Sequence, residues 1–176
     1  MTGREGNVER AVVFASPWCR VLAQPLPDGQ PYYMLEVPDY VSIIARTPAG
    51  CILLVRQHRP IVGAESVELP SGHIEAGESS EAAARRELLE ETGMLADHLE
   101  CLGTLMPDVG RLTNRLWCYF AADVRRAPAA EPEQGISVLE VPDRDALAMA
   151  VDGRLSHALD LASLFLAVSK GRLSLA

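Results

Sequence analysis

Residues 72–94 read GHIEAGESSEAAARRELLEETGM, and the middle of this stretch carries the local marks of a helix. Ser79 or Ser80 offers an N-cap hydroxyl, Glu81 puts negative charge in the first turn, residues 82–91 are strong helix formers, and Gly93 is a C′ stop. On a wheel of about 100° per residue, Glu87, Glu90 and Glu91 project together, with small Ala83 one turn earlier on the same face. Like charges at these spacings destabilise an isolated helix by roughly 0.2–0.5 kcal/mol per pair. Arg86, four before Glu90, is the obvious local relief. A solvated acidic face is one reading. The other is a bound cation, and oxygen donors on a rigid element favour hard Mg²⁺ or Mn²⁺ over zinc.

Upstream of the helix the chain reads as strands, at residues 11–14, 18–24, 32–37, 40–46 and 51–57, rich in β-branched and aromatic residues. Pro27-Asp28-Gly29 and Pro48-Ala49-Gly50 sit between consecutive runs as hairpin turns should. Downstream, strand patterns resume at 100–106 and 115–122, a Pro/Ala/Glu-rich loop covers 126–135, and a last strand covers 136–141. Two helices follow, one capped by Asp143 and ending before Gly153, the other running from Ser156 to about residue 170. No internal repeat interrupts this order. It fits an α+β sandwich, a mixed sheet core covered by helices, with an N-terminal antiparallel β-rich subregion at 1–38 and the main domain at 39–176.

A chain of 176 residues, 48% hydrophobic, is long enough to bury a core without disulfides. Cys19, Cys51, Cys101 and Cys118 show no C-x-x-C spacing and read as buried free thiols. The longest apolar run, residues 161–168, is far short of the ~20 residues that cross a bilayer. The opening MTGREGNVER lacks the apolar stretch of a secretion signal, so a cytoplasmic protein is expected. A formal net charge of −8 without a Lys/Arg cluster argues against nucleic acid as a partner. It does not exclude a phosphorylated ligand recruited through a cation.

The spacing Gly72-x5-Glu78-x7-Arg86-Glu87-Leu88-x-Glu90-Glu91-x-Gly93-Met94 resembles the Nudix box, G-x5-E-x7-R-E-U-x-E-E-x-G-U with U apolar. All nine specified positions match, a coincidence of roughly 1 in 10⁷ at ordinary residue frequencies. The resemblance implies a loop–helix–loop on an α/β/α sandwich that cleaves a nucleoside diphosphate linked to another moiety. It implies Glu87, Glu90 and Glu91 as metal ligands, with the main-chain carbonyl of Ser71 or Gly72 as a further one. Glu78 and Arg86 would orient those carboxylates. A cation held there would screen the diphosphate charge and lower the pKa of an attacking water.

Val55-Arg56-Gln57-His58-Arg59-Pro60 and Glu68-Leu69-Pro70-Ser71-Gly72 resemble the ADP-ribose/ADP-sugar pyrophosphatase branch of that family. By that likeness the substrate is ADP-ribose or a related ADP-sugar, cleaved to AMP and a sugar phosphate. Arg59 and Arg56 would meet its phosphate or ribose end, or else form strand-end salt bridges, and Glu68 would reach a ribose hydroxyl or the metal. Trp18 and Tyr32 or Tyr33 occupy places where relatives stack adenine, though strand packing also accounts for them. Glu133 or Glu131, in the loop before the last strand, matches the site of a mobile general base, with Glu90 the next candidate. Homodimerisation through the N-terminal strands, with the final helices as a further contact, is also implied. Rival substrates are GDP-mannose, a dinucleoside polyphosphate, NADH or an oxidised nucleoside triphosphate. A sensor that binds ADP-ribose without turnover is the rival outside enzymes.

Overall fold

The computed structural model describes residues 10–174, so the charged opening read above for a secretion signal lies mostly outside the described residues. Two compact units emerge, one of the residues up to Pro38 with Met106–Arg115, the other of Asp39–Leu105 with the chain from Leu116 onward.

In the first unit, β1 (Ala11–Ala15), β2 (Arg20–Pro25) and β3 (Pro31–Glu36) form an antiparallel meander. The Asp28-Gly29 turn closes β2 onto β3, with Gly29 at φ +82°, a conformation that a residue lacking Cβ adopts without penalty. Trp18, expected inside a strand, sits instead in the β1–β2 connection, where the Ser16 hydroxyl accepts from the Trp18 and Cys19 amides. Every residue of β1 is exposed, the apolar Val12, Val13 and Phe14 among them.

The second unit contains β4 (Tyr40–Ala45), β5 (Cys51–Arg59), β6 (Ala64–Glu68), β7 (Ser71–His73), α1 (Ser80–Thr92), β8 (Met94–Leu95), β9 (Glu100–Leu105), β10 (Leu116–Ala121), β11 (Arg125–Arg126), β12 (Ser137–Pro142), α2 (Asp143–Asp152) and α3 (Ala158–Ser169). A mixed sheet runs β7-β4-β10-β9, with β4 and β10 parallel, and an antiparallel sheet runs β12-β5-β6. Strand alternation explains the layering. On β4 and β10, Val41, Ile43, Ala45, Tyr119 and Ala121 pack with Ala83, Ala84 and Leu88 of α1. Ile44, Leu116, Cys118 and Phe120 point the other way and pack with Ala146, Leu147 and Met149 of α2 and Leu164 and Ala167 of α3. This is the expected α/β/α sandwich, with two sheets in its core where the sequence pattern implied one.

Three local expectations are corrected. Asp143 does not cap α2; its carboxylate accepts from Arg46 Nε at 2.7 Å. The residue preceding α3 is His157, one beyond Ser156. Only Cys118 of the four free thiols is buried, and Cys101 faces outward from edge strand β9.

Candidate active site

Helix α1 begins as expected, with the Ser79 hydroxyl accepting from the Ala82 amide at 3.2 Å, and ends at Gly93 in the left-handed conformation, φ +69°. Its anchor is Leu88, which loses all contact with water, a burial that contributes about 1.5–3 kcal/mol. Ala83 and Ala84 are equally buried and have no bulk to hold the helix away from the sheet. The carboxylates run from within this buried stripe to beyond it. Glu91 lies near its middle, Glu87 at its margin and Glu90 beyond it, so the side chains pass from buried through largely buried to half exposed.

Burial dominates the electrostatics. It raises the Glu91 carboxyl to about 8, against relief from the Ser71 amide, which donates to Glu91 Oε2 at 2.8 Å. Burial also raises Glu87, opposed by Arg86. The Glu87 carboxylate fills the space beside Gly72 that a Cβ would need, and this contact, more than backbone freedom, is why a glycine stands there.

Arg86 is the hub of the cluster. Its Nε and Nη2 donate to the two oxygens of Glu78 at 3.1 and 3.0 Å, and Nη2 also donates to the His73 carbonyl at 2.8 Å. Nη1 donates to Glu87 at 2.7 Å and to Glu90 at 3.0 Å. The bonds from Glu78 first, then from Glu87 and Glu90, raise the Arg86 pKa, and Glu78 is lowered by the same contact. No group of three metal-donor residues stands assembled among the described residues, and Arg86 is bonded to both Glu87 and Glu90. The donor chemistry nevertheless fits a hard divalent cation, since buried Glu87 and Glu91 offer only oxygen and lack full charge compensation.

The pairing of β7 with β4 distinguishes the two main-chain carbonyls. Pro70 accepts from Ile43 and Ile74 donates to Asp39, so even-numbered residues of this segment, Gly72 included, direct their backbone groups into the β4 ladder. Ser71 and His73 face the α1 edge, as the Ser71–Glu91 and His73–Arg86 bonds show. The Gly72 carbonyl thus points into the β4 ladder, and that of Ser71 points toward α1.

A cavity of about 600 Å³ adjoins this edge, its lining including Ser71, Gly72 and His73 of β7 and Ser156 and His157 ahead of α3. Arg59 lines it, its Nε and Nη2 donating to the two carboxylate oxygens of Glu68 at 2.8 and 2.5 Å. Burial alone would raise Glu68, but bonds from Arg59 and Ser66 bring it below the ordinary carboxylate range. Arg56 is exposed and does not line the cavity.

The composition of the wall ahead of α3 was missed in the sequence. His157 Nδ1 lies 3.1 Å from Asp160 Oδ1, and Asp160 Oδ2 accepts from the Leu69 amide at 2.9 Å. Asp160 is 1% exposed, and its burial raises its own pKa, while its bond raises that of His157. Tyr40, beside them in the cavity lining, is pushed up to about 12 by burial and then by Asp160. A lone His ahead of a helix gives little signal, although the His-x-x-Asp spacing could have flagged the pair.

The loop glutamates separate. The Glu133 amide donates to the Glu90 carbonyl at 2.8 Å, and the Glu133 charge is felt by Glu87. Glu131 is 86% exposed and leans toward Arg126 at 3.7 Å. In the first unit, Trp18 is 76% exposed at the Arg20–Glu36 end of the β2–β3 pair, whereas Tyr32 lies at the Gln24 end. There Tyr32 donates to the Gly110 carbonyl and carries the Arg111 guanidinium 4.9 Å above its ring. Tyr33 is half exposed on the opposite strand face. Within one chain these aromatics form no common clamp.

Residues 37–158 match the model of the NUDIX domain. Over 120 residues the chain is 38% identical to the ADP-sugar pyrophosphatase of Mus musculus, a match covering 64% of this chain and 55% of that protein. Over 117 residues it is 30% identical to the ADP-ribose pyrophosphatase of Bacillus subtilis (strain 168), covering 65% and 63%. These matches thus span less than two thirds of each relative. A crystal structure of an ADP compounds hydrolase superposes with a TM-score of 0.77 over 93% of both chains, at 21% identity, a likeness of fold.

Proposed function

This chain belongs to the Nudix family, and from that premise we propose that it is a divalent-metal-dependent hydrolase of ADP-ribose or a related ADP-sugar, releasing AMP and a sugar phosphate. The observation that carries the reading is the buried pair Glu87 and Glu91, packed against Gly72 and the Ser71 amide at the edge of a cavity large enough for a small ligand. Names of the relatives support the substrate class.

Glu87, Glu90, Glu91 and the Ser71 carbonyl would hold Mg²⁺ or Mn²⁺. When bound, the ion supplies Lewis-acid polarisation of the diphosphate and a more acidic water. Arg86 must yield Glu87 and Glu90 to it, and its bonds to Glu78 and the His73 carbonyl keep the guanidinium anchored meanwhile. Glu133, tethered to the Glu90 carbonyl, is assigned the general base in preference to Glu131. Arg59 and Glu68 are assigned to the substrate, and Arg56 keeps only a weaker claim because it stands off the cavity.

The subregion 1–38 is assigned homodimerisation, which would cover exposed apolar residues of β1, and base stacking by Trp18 with Tyr32 or Tyr33. A cytoplasmic setting accords with free cysteines, and no helix among the described residues is long and apolar enough to cross a membrane.

The test is incubation with ADP-ribose, other nucleoside diphosphate sugars including GDP-mannose, dinucleotides and triphosphates in Mg²⁺, with an EDTA control and chromatographic identification of products. EDTA-sensitive release of AMP and ribose 5-phosphate, fastest from ADP-ribose, is expected. Faster turnover of another compound would overturn the substrate, and ligand binding without any product would favour a sensor.

A further inference from the structure

The cavity beside the helix edge has a particular charge arrangement. Two of its three basic side chains, His73 being the third, face carboxylates: Arg59 bonds Glu68 through two nitrogens, and Nδ1 of His157 lies 3.1 Å from Asp160. The two ion pairs supply hydrogen-bonding groups but little net charge. A phosphate entering here would compete with Glu68 for Arg59 and would bring its own charge against that carboxylate. A hydroxyl faces no such conflict, because it can accept from guanidinium or imidazole and donate to Glu68. Val67 and Tyr40 add the apolar surface that the C–H face of a sugar ring requires.

We propose that His157, with the Arg59–Glu68 pair, forms the subsite for the hydroxylated sugar of a nucleoside diphosphate sugar, and that His157 sets the preference for that group. The proposal rests on the hydrolase reading for the identity of the ligand. Asp160 is a positioning residue. One of its oxygens lies 3.1 Å from Nδ1 of His157, on the side of the ring away from Nε2, while the other accepts from the Leu69 amide, two residues before Ser71. Sugar recognition and placement of the Ser71 edge therefore share one buried carboxylate, 1% exposed and in the first turn of α3, where the helix dipole favours negative charge.

Binding can be read without turnover by using α,β-methylene ADP-ribose, which cannot be cleaved at the diphosphate, and α,β-methylene ADP carrying a methyl ester in place of the sugar. Titration calorimetry in Mg²⁺ is expected to show the sugar-bearing probe binding more tightly. His157→Gln should weaken that probe about tenfold, the scale of one lost hydrogen bond to a charged group, while the methyl ester changes by less than about twofold. Asp160→Asn, whose amide oxygen can still accept from Leu69, should give a smaller loss of the same selectivity, which keeps the test open if the first variant folds poorly.

Equal weakening of both probes, weakening of neither, or no preference for the sugar in the wild-type protein would overturn the subsite. Hydrolysis of unmodified ADP-ribose, followed on the same preparations, separates the two readings. Selective binding without cleavage would sink the hydrolase and leave the subsite, whereas cleavage with unchanged selectivity in His157→Gln would sink the subsite alone.

Discussion

Replacing Gly72 by alanine tests whether the Glu87 carboxylate is where the chemistry needs it. The backbone at Gly72 is not left-handed, so the substitution adds no conformational strain and its effect is steric. The new methyl would fall inside 3.0 Å of the Glu87 carboxyl group, whereas ordinary contact begins at 3.4 Å. That carboxyl is the end of a flexible side chain and must swing aside by on the order of 1 Å, a displacement that costs about 10²-fold in rate when it befalls a reacting site. The fold should lose little, about 1 kcal/mol at the mild end of overpacking, or roughly 2–4 °C in Tm for a chain of this size. Kinetics of ADP-ribose hydrolysis across a Mg²⁺ titration, with a thermal melt of the same sample, would read both quantities. Because Gly72→Ala and Glu87→Gln act through one carboxylate, the double variant should lose far less than the product of the two single losses. Wild-type turnover and Mg²⁺ response in Gly72→Ala, or independent losses in the cycle, would refute the role given to Glu87.

Three further outcomes are expected. Glu133→Gln should lower kcat more than about 100-fold, as loss of a general base does, while Glu131→Gln, at an exposed side chain beside Arg126, should stay within about threefold of wild type; the reverse order in stopped-time assays would reassign the base. Trp18→Ala should leave Tm unchanged, since the ring is exposed, and raise KM for ADP-ribose; an unchanged KM would remove Trp18 from the base-stacking role. His157 is more basic folded than unfolded because Asp160 holds its proton, so its pairing stabilises fully below about pH 6.5 and that contribution fades as pH rises through the folded value. In metal-free protein the Tm gap between wild type and His157→Gln should therefore narrow from mildly acid to alkaline pH, and a gap that stays constant in scanning calorimetry would disprove the pairing.

The parts of this molecule legible in its sequence are those fixed by local periodicity. Helix α1 announced its cap, its stop and its acidic face, and β4, β5 and β10 their apolar runs, because those signals lie within a dozen residues. Short strands such as β7 and β8 carry too few residues to show a period, and they exist because partners elsewhere in the chain satisfy their backbones. Asp143 looked like a cap and became an ion-pair partner of Arg46, since a tertiary contact 97 residues away outweighed a local bond. The missed wall of the cavity has the same origin. Asp160 and Leu69 are 91 residues apart, and no window along the chain could join them.

The burial gradient along α1 ties this architecture to the acidic composition. A helix laid flat on a sheet buries one stripe, and residues at successive angles from its centre pass gradually from dry to wet. Here a three-carboxylate face overlaps the margin of that stripe, so its members share a position but not an environment. Glu91 is raised to about 8 by burial, Glu87 is also raised by burial but held by Arg86, and Glu90 stays half exposed. Leu88 is what enforces the inequality, because its burial fixes the rotation of the helix and thereby the depth of each carboxylate. Deep carboxylates without a cation are costly, and Arg86, already shared among Glu78, Glu87 and Glu90, makes no bond to Glu91. Arg86 on Glu87 and Arg59 at longer range on Glu91 oppose burial without cancelling it, and a divalent ion is a species whose size and charge would favour the ionised form of both acids.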